Sequence, residues 1–116
     1  MFQINIKKIF LIIITISFQY SLYSITYIDA KDGEDEYKKK NYTVAEKKFN
    51  SAIKSSLEDN PSSLHFNLGN SFYNQKKYDE ALEEYGKALS TKSKKDKSKI
   101  KYNIANTYVA KQKVEG

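Results

Sequence analysis

The sequence predicts an all-α protein in which antiparallel helix hairpins stack as a solenoid of about two and a half repeats. Three observations lead to this prediction. The chain matches itself at an offset of 36 residues, which indicates a repeated structural unit. Its apolar residues recur at steps of three and four, the period of a helix with one buried face. One Pro and four Gly in 116 residues favour long regular elements with few tight turns.

Residues 1–28 are predicted to be a targeting segment. Lys7 and Lys8 precede an apolar run from Ile9 to Phe18, which is the layout of a secretory signal peptide. The small-residue rule for cleavage is met at Ile28-Asp29-Ala30 or at Leu22-Tyr23-Ser24. The alternative is an uncleaved membrane anchor, because the 20 residues between Lys8 and Asp29 carry no charge. A helix of that length is roughly 30 Å long, enough to span a bilayer.

Both alternatives give the same topology. Lys7 and Lys8 stay in the cytoplasm by the positive-inside rule, and everything after Asp29 is exported. The predicted location is therefore the periplasm, or the inner membrane with the repeat domain, residues 29–116, facing outward.

The internal repeat is clearest around residues 67–82. Each matched position keeps its residue identity or its size class. The upstream matches are Gly69, Tyr73, Lys76, Tyr78, Ala81, Tyr85, Ala88 and Leu89 with Gly33, Tyr37, Lys40, Tyr42, Ala45, Phe49, Ala52 and Ile53. The downstream matches are Phe66, Asn67, Leu68, Gly69, Asn70, Ser71 and Phe72 with Tyr102, Asn103, Ile104, Ala105, Asn106, Thr107 and Tyr108.

Each unit is predicted to be a pair of helices. Repeat 1, about 29–57, has helices near 31–40 and 43–57; repeat 2, about 62–91, has helices near 62–75 and 78–91. A partial repeat 3, about 98–112, has one helix near 98–111. Pro61 suits the first turn of a helix, where its missing N–H costs nothing. The connecting turns are expected at 41–42, 58–61, 76–77 and 92–97.

The small and aromatic residues are predicted to serve packing. Gly69 and Ala81 remove side-chain bulk where the two helices of a hairpin approach, as Ala45 and Ala105 do in the other units. The rings of Phe72, Tyr78 and Tyr85 then fill the wider gaps. One hairpin cannot bury its apolar stripe alone, so neighbouring hairpins stack and line a concave face with their first helices.

The middle unit resembles the signature of the tetratricopeptide repeat (TPR) family: a large residue, Leu-Gly, an aromatic residue, Ala, a second aromatic residue and Ala. The residues that carry it are Leu68, Gly69, Phe72, Ala81, Tyr85 and Ala88, and His65 stands where the family usually has Trp. The resemblance covers about residues 30 to 112. It implies a solenoid that binds other proteins without catalysis. The signal-plus-TPR arrangement is similar to small exported bacterial TPR proteins, including those of the Bat aerotolerance group.

Composition argues against several functions. The 20 basic residues are all Lys, and the formal charge is +6. Guanidinium forks are the usual means of reading base edges and phosphates, so the absence of Arg argues against nucleic-acid binding. The absence of Cys excludes thiolate metal sites and a cysteine nucleophile. His65, the only histidine, has no metal-ligand or catalytic set around it and is predicted to be a packing residue. No catalytic residue, metal or cofactor is predicted.

Two charged clusters leave alternatives open. An enzyme would depend on the acids Asp32, Glu34, Asp35 and Glu36, but the lysines that follow them favour a solvated helix. The lysine run from Thr91 to Lys101 could contact anionic lipid head groups or an acidic partner. It is otherwise a solvated turn between repeats.

The candidate partner site is a groove on the concave face. Its predicted lining is Phe66, Asn67, Asn70, Tyr73, Asn74, Tyr102, Asn103 and Asn106. Asn amides can pair with the backbone of an extended peptide, and rings supply contact area. The TPR resemblance adds that Asn70 and Asn103 match two asparagines of carboxylate-clamping TPR domains, whereas Phe66 replaces the lysine of that clamp. The alternative is that the asparagines bridge adjacent repeats.

The sequence therefore predicts a non-catalytic interaction module or scaffold in the cell envelope that binds another protein or a peptide segment. The alternative is a membrane-anchored assembly subunit whose lysine run contacts lipid head groups. The sequence does not specify an oligomeric state.

Overall fold

A computed structural model describes residues 3–116, which form five α-helices. Their bounds are Ile6–Lys38 for α1, Tyr42–Ser55 for α2, Ser62–Asn74 for α3, Tyr78–Ala88 for α4 and Lys94–Glu115 for α5. No strand occurs within the described part of the chain. The molecule measures 76 × 29 × 20 Å, and its length comes from α1, whose 33 residues extend well beyond α2. The predicted all-α, TPR-like helical repeat is confirmed.

The first hairpin consists of α1 and α2 running antiparallel. At its closed end the rings of Tyr37 and Tyr42 meet edge to face with centroids 5.2 Å apart. At its open end the hydroxyl oxygens of Thr26 and Ser55 lie 2.8 Å apart. Its residues form one buried cluster, built from Ala45, Phe49, Ala52, Leu64 and Leu68 together with the second hairpin.

The second hairpin, α3 and α4, repeats this arrangement. The rings of Tyr73 and Tyr78 meet at its closed end with centroids 5.7 Å apart, and the Ser62 hydroxyl donates to the carbonyl of Ala88 at its open end. A second buried cluster joins it to α5 and contains Ala81, Tyr85, Ala88 and Ile100.

The first helices of successive units run parallel. The Asn74 side-chain amide donates to the Tyr37 hydroxyl at 2.9 Å and links α3 to α1. The Asn103 amide donates to Oδ1 of Asn70 at 3.0 Å and links α5 to α3. The start of α2 contacts the end of α3 through Thr43 and Gln75, and the start of α4 contacts the end of α5 through Asp79 and Lys111. Because α2 and α4 therefore run antiparallel to both of their neighbours, α1, α3 and α5 point the same way.

A ring packed on a glycine closes each hairpin. A Cβ built on Gly33 would lie 2.7 Å from the Phe49 ring, and one built on Gly69 would lie 2.7 Å from the Tyr85 ring. The prediction that rings fill only the wider gaps was therefore wrong for Tyr85. The ring itself occupies the point of close approach, and the glycine provides the space for it.

The structure corrects the N-terminal helix boundary. The sequence predicts that the first helix of repeat 1 lies near residues 31–40, but α1 runs without interruption from Ile6 to Lys38. No Pro or Gly occurs between residues 3 and 32 to end the helix. By length and composition α1 is the one described helix that could cross a membrane, a test that signal sequences near the N-terminus also pass.

The lysine run is helical from Lys94 onward. The predicted helix 98–111 begins at Lys94 and ends at Glu115. The reason lies in the N-cap, because the Ser93 hydroxyl accepts a hydrogen bond from the N–H of Asp96. The turn that was expected at 92–97 is therefore confined to residues 89–93.

Candidate functional site

A polar cavity of about 290 Å³ lies among α1, α3 and α5, on the side predicted to be concave. Asn70, Tyr73 and Asn74 of α3 form its floor, and Asn103 and Asn106 of α5 form one wall. These five residues are among the eight predicted to line a groove. Tyr37 of α1 and Tyr85 of α4 complete the lining, and the sequence analysis had assigned neither of them to the site.

Asn70 is the centre of this cavity. Its Oδ1 accepts two hydrogen bonds, from the Tyr85 hydroxyl at 2.6 Å and from the Asn103 amide at 3.0 Å. Asn70 and Asn103 therefore do bridge adjacent repeats, which was the alternative role considered for them. Within residues 3–116 the amide N–H groups of Asn70 and the Oδ1 of Asn103 have no partner, so the bridge leaves one donor group and one acceptor uncommitted.

The other two asparagines of the lining, Asn74 and Asn106, differ in the number of hydrogen bonds that they make. Asn74 donates to the Tyr37 hydroxyl at 2.9 Å and to the backbone carbonyl of Asn70 at 2.8 Å. Asn106 is half-buried at the edge of the cavity, and its side chain makes no hydrogen bond to any described residue. Asn106 is thus the lining amide that is most available to a ligand.

The lining carries no charged side chain. Burial raises the pKa of the Tyr37 phenol and of the Tyr85 phenol above the usual tyrosine range. Both groups keep their protons at physiological pH, because a raised pKa moves their ionisation further into the alkaline range. The cavity therefore offers neutral donors and acceptors, whose state does not change near neutral pH.

Three predicted groove residues do not line the 290 Å³ cavity. Phe66 and Asn67 line a separate cavity of about 280 Å³ between the beginnings of α3 and α5. Asn67 also lines a smaller cavity of about 140 Å³ that it shares with Tyr37 and Asn70. The Phe66 ring packs on Tyr85 with centroids 5.8 Å apart, so it serves the hairpin core. Tyr102 is 67% exposed and does not line the 290 Å³ cavity. Its position in α5 matches the face of α3 that packs against α4.

Two of the remaining candidates, His65 and Glu36, make side-chain hydrogen bonds. Buried His65 lies 2.6 Å from a carboxylate oxygen of Glu84, so the packing residue is also hydrogen-bonded. Glu36 accepts from Asn41 and Lys39, and these hydrogen bonds lower its pKa below the usual glutamate range. No group of three or more potential metal ligands occurs among the residues described.

Comparison with known proteins agrees with this geometry. Residues 62–94 match the family model of the tetratricopeptide repeat, a span that contains α3, α4 and the turn into α5. The match supports the TPR family for this unit, and TPRs generally mediate protein–protein interaction without catalysis. A search of curated proteins found no match to the chain.

Replacing Asn70 is predicted to destabilise the fold and not only the groove. In Asn70→Ala the buried Tyr85 hydroxyl loses its acceptor, and the free energy of unfolding should fall by about 1–3 kcal/mol. The matched change Asn106→Ala removes no hydrogen bond and should alter it by less than about 0.5 kcal/mol. Urea unfolding followed by circular dichroism measures both. Equal effects of the two variants would contradict the bridging role of Asn70.

Proposed function

We propose that the chain is a non-catalytic scaffold of the cell envelope that binds an extended segment of a partner protein in the 290 Å³ concave cavity. The observation that carries this proposal is the uncommitted hydrogen-bonding capacity of Asn70, Asn103 and Asn106 on one side of two consecutive repeats. An extended backbone presents alternating N–H and C=O groups, and such amides can pair with both.

The chemistry of the lining favours a neutral ligand. No lysine lines the cavity, so a terminal carboxylate would find no counter-charge there. Tyr37 and Tyr73 add aromatic contact area at a low cost in conformational entropy. The proposed ligand is therefore an internal backbone segment of the partner and not its C-terminal carboxylate.

Site-specific photo-crosslinking in cells tests the groove. A photoreactive residue at position 106 should form an adduct with a partner protein, because this side chain lies at the edge of the cavity with no internal hydrogen bond. The same residue at position 50, a half-buried asparagine of α2 that lies outside the cavity, is the matched control. Equal yields of the same adduct from both positions would contradict groove binding.

A second proposal is that α1 remains attached as a membrane anchor. Thr26 contacts Ser55, the Asp29 carboxylate accepts from the Ser51 hydroxyl and lies 3.8 Å from Lys48, and Ala30 packs on the first core cluster. Cleavage after Ala30 would remove these contacts from the first hairpin. The apolar part of α1, by contrast, is exposed over residues 6–21.

The lysine run lies at the same end of the repeat body as this anchor. Since α1, α3 and α5 are parallel, the beginning of α5 lies at the end of the repeat body from which the apolar part of α1 emerges. Lys92, Lys94, Lys95 and Lys97 are exposed at that end. In a membrane-anchored chain they would face the head groups of the same bilayer, where anionic lipids attract lysine.

Amine labelling of the full chain in vesicles tests the anchored arrangement. In phosphatidylcholine vesicles that contain phosphatidylglycerol, the lysine run at 92–97 should be labelled more slowly than in pure phosphatidylcholine, and added salt should remove the difference. Lys38, Lys40, Lys76 and Lys113 lie at the opposite end and serve as the control set. Equal labelling of the two sets, or a mature protein in cells that begins near Lys31, would contradict this proposal.

A further inference from the structure

The loop between α2 and α3 presents a leucine to solvent. Leu57 is 58% exposed, whereas Leu64 and Leu68 of the following helix are buried in the first core cluster. Leu57 lies beside the part of α1 that projects from the repeat body, and the two form an open, mainly apolar cavity of about 460 Å³. The other residues that line this cavity are Ile16, Gln19, Tyr20 and Tyr23.

The length of α1 relates this cavity to a bilayer. A helix crosses a hydrocarbon core of roughly 30 Å with about 20 residues. A span that begins at Ile9, directly after the lysine pair, therefore ends near Ile28. Tyr20 and Tyr23 come before that end, and Leu57 lies beside them. In an anchored chain Leu57 would thus be level with the outer edge of the hydrocarbon and not above the membrane.

The tyrosines of α1 mark the same level. Tyr20, Tyr23 and Tyr27 recur at steps of three and four residues and are between 61% and 70% exposed. No tyrosine occurs between residues 3 and 19. Tyrosine is enriched where a protein passes from hydrocarbon to water, because its ring is apolar and its hydroxyl can reach polar groups. The tyrosines of α1 are therefore confined to the end of the apolar segment that adjoins the repeat body.

The composition of α1 favours lipid over a partner helix as the surrounding of this segment. The six consecutive residues from Ile9 to Ile14 are all apolar, and each is between 40% and 63% exposed. Six successive positions point to every side of a helix. A helix that packs on one partner needs a single apolar stripe, whereas a helix that is apolar on all sides suits a hydrocarbon solvent.

The continuity of α1 fixes the position of the repeat body relative to that solvent. The helix runs unbroken from its apolar part into the first hairpin, where the hydroxyl oxygens of Thr26 and Ser55 lie 2.8 Å apart. Ser55 precedes Leu57 by only two residues. No flexible linker separates the body from the apolar part of α1, so the loop cannot leave the bilayer surface unless α1 bends.

We propose that the repeat body docks directly on the bilayer, with Leu57 inserted among phospholipids at the boundary between hydrocarbon and head groups, beside Tyr20 and Tyr23. Glu58 and Asp59 follow Leu57 and are exposed, so they stay among the head groups and limit the insertion to the leucine. This inference rests on the proposed membrane anchor and adds the depth at which the body lies. It does not depend on the proposed groove function.

Tryptophan, which the chain lacks, can report the surroundings of single positions in the full chain reconstituted in phosphatidylcholine vesicles. Leu57→Trp should lose most of its emission to a phosphatidylcholine that is spin-labelled near the top of its acyl chain, and little to acrylamide in the water. Val44→Trp, at a 42% exposed position at the opposite end of the body, is the matched control and should be quenched by acrylamide alone. Both positions are exposed, so neither change should disturb the core.

A third variant separates this inference from the anchor on which it rests. Ile13→Trp, in the apolar part of α1, should be quenched by a lipid that is spin-labelled near the end of its acyl chain. If this variant is quenched by lipid while Leu57→Trp is quenched by acrylamide alone, the docking of the body is overturned and the anchor stands. If lipid quenches neither variant, both proposals fail.

A protein occupant of the cavity would give a different result. Protection of Leu57→Trp from lipid and acrylamide alike would overturn the contact with phospholipid. It would identify the occupant as a second copy of the chain, since the vesicles contain no other protein.

Discussion

The packing of an aromatic ring against a glycine is the contact on which the rest of this structure depends. In both complete hairpins the ring lies where a Cβ would stand 2.7 Å away, so Phe49 and Tyr85 can reach the first helix only because Gly33 and Gly69 have no side chain. This contact sets the distance between the helices of a hairpin. Further aromatic rings fill the positions beside this contact and connect one hairpin to the next.

The same contact connects packing with the candidate site. Tyr85 is almost fully buried, yet its hydroxyl reaches Oδ1 of Asn70 in the concave cavity. Asn70 in turn holds Asn103 of the next unit. The stacking of repeats and the arrangement of the groove amides are therefore parts of one hydrogen-bonded network.

Much of this architecture could be predicted from the sequence, because the helices follow from the repeat and from the spacing of apolar residues, and both are visible in short stretches of the chain. The helices α2, α3 and α4 were placed to within three residues at each end. The continuity of α1 could not be predicted, since a signal peptide and the first part of a long helix share the same apolar composition. The role of Asn70 could not be decided from the sequence either. An asparagine at this position can bridge two repeats or contact a ligand, and the two roles differ only in the position of its amide oxygen. Tyr102 lies outside the 290 Å³ cavity, because repeat spacing assigns it to a helix but does not say which side of that helix faces the cavity.

A double-mutant analysis of unfolding measures the central contact most directly. Gly69→Ala should lower the free energy of unfolding by about 1–3 kcal/mol in the native chain and equally in Tyr85→Phe, which keeps the ring. In the Tyr85→Leu background, Gly69→Ala should lower the free energy of unfolding much less, because the leucine side chain is shorter and flexible. Gly86→Ala, at an exposed glycine with nothing within 4 Å of the added Cβ, should instead raise the free energy of unfolding by about 1 kcal/mol. An equal cost of Gly69→Ala in the Tyr85→Leu background would contradict the account.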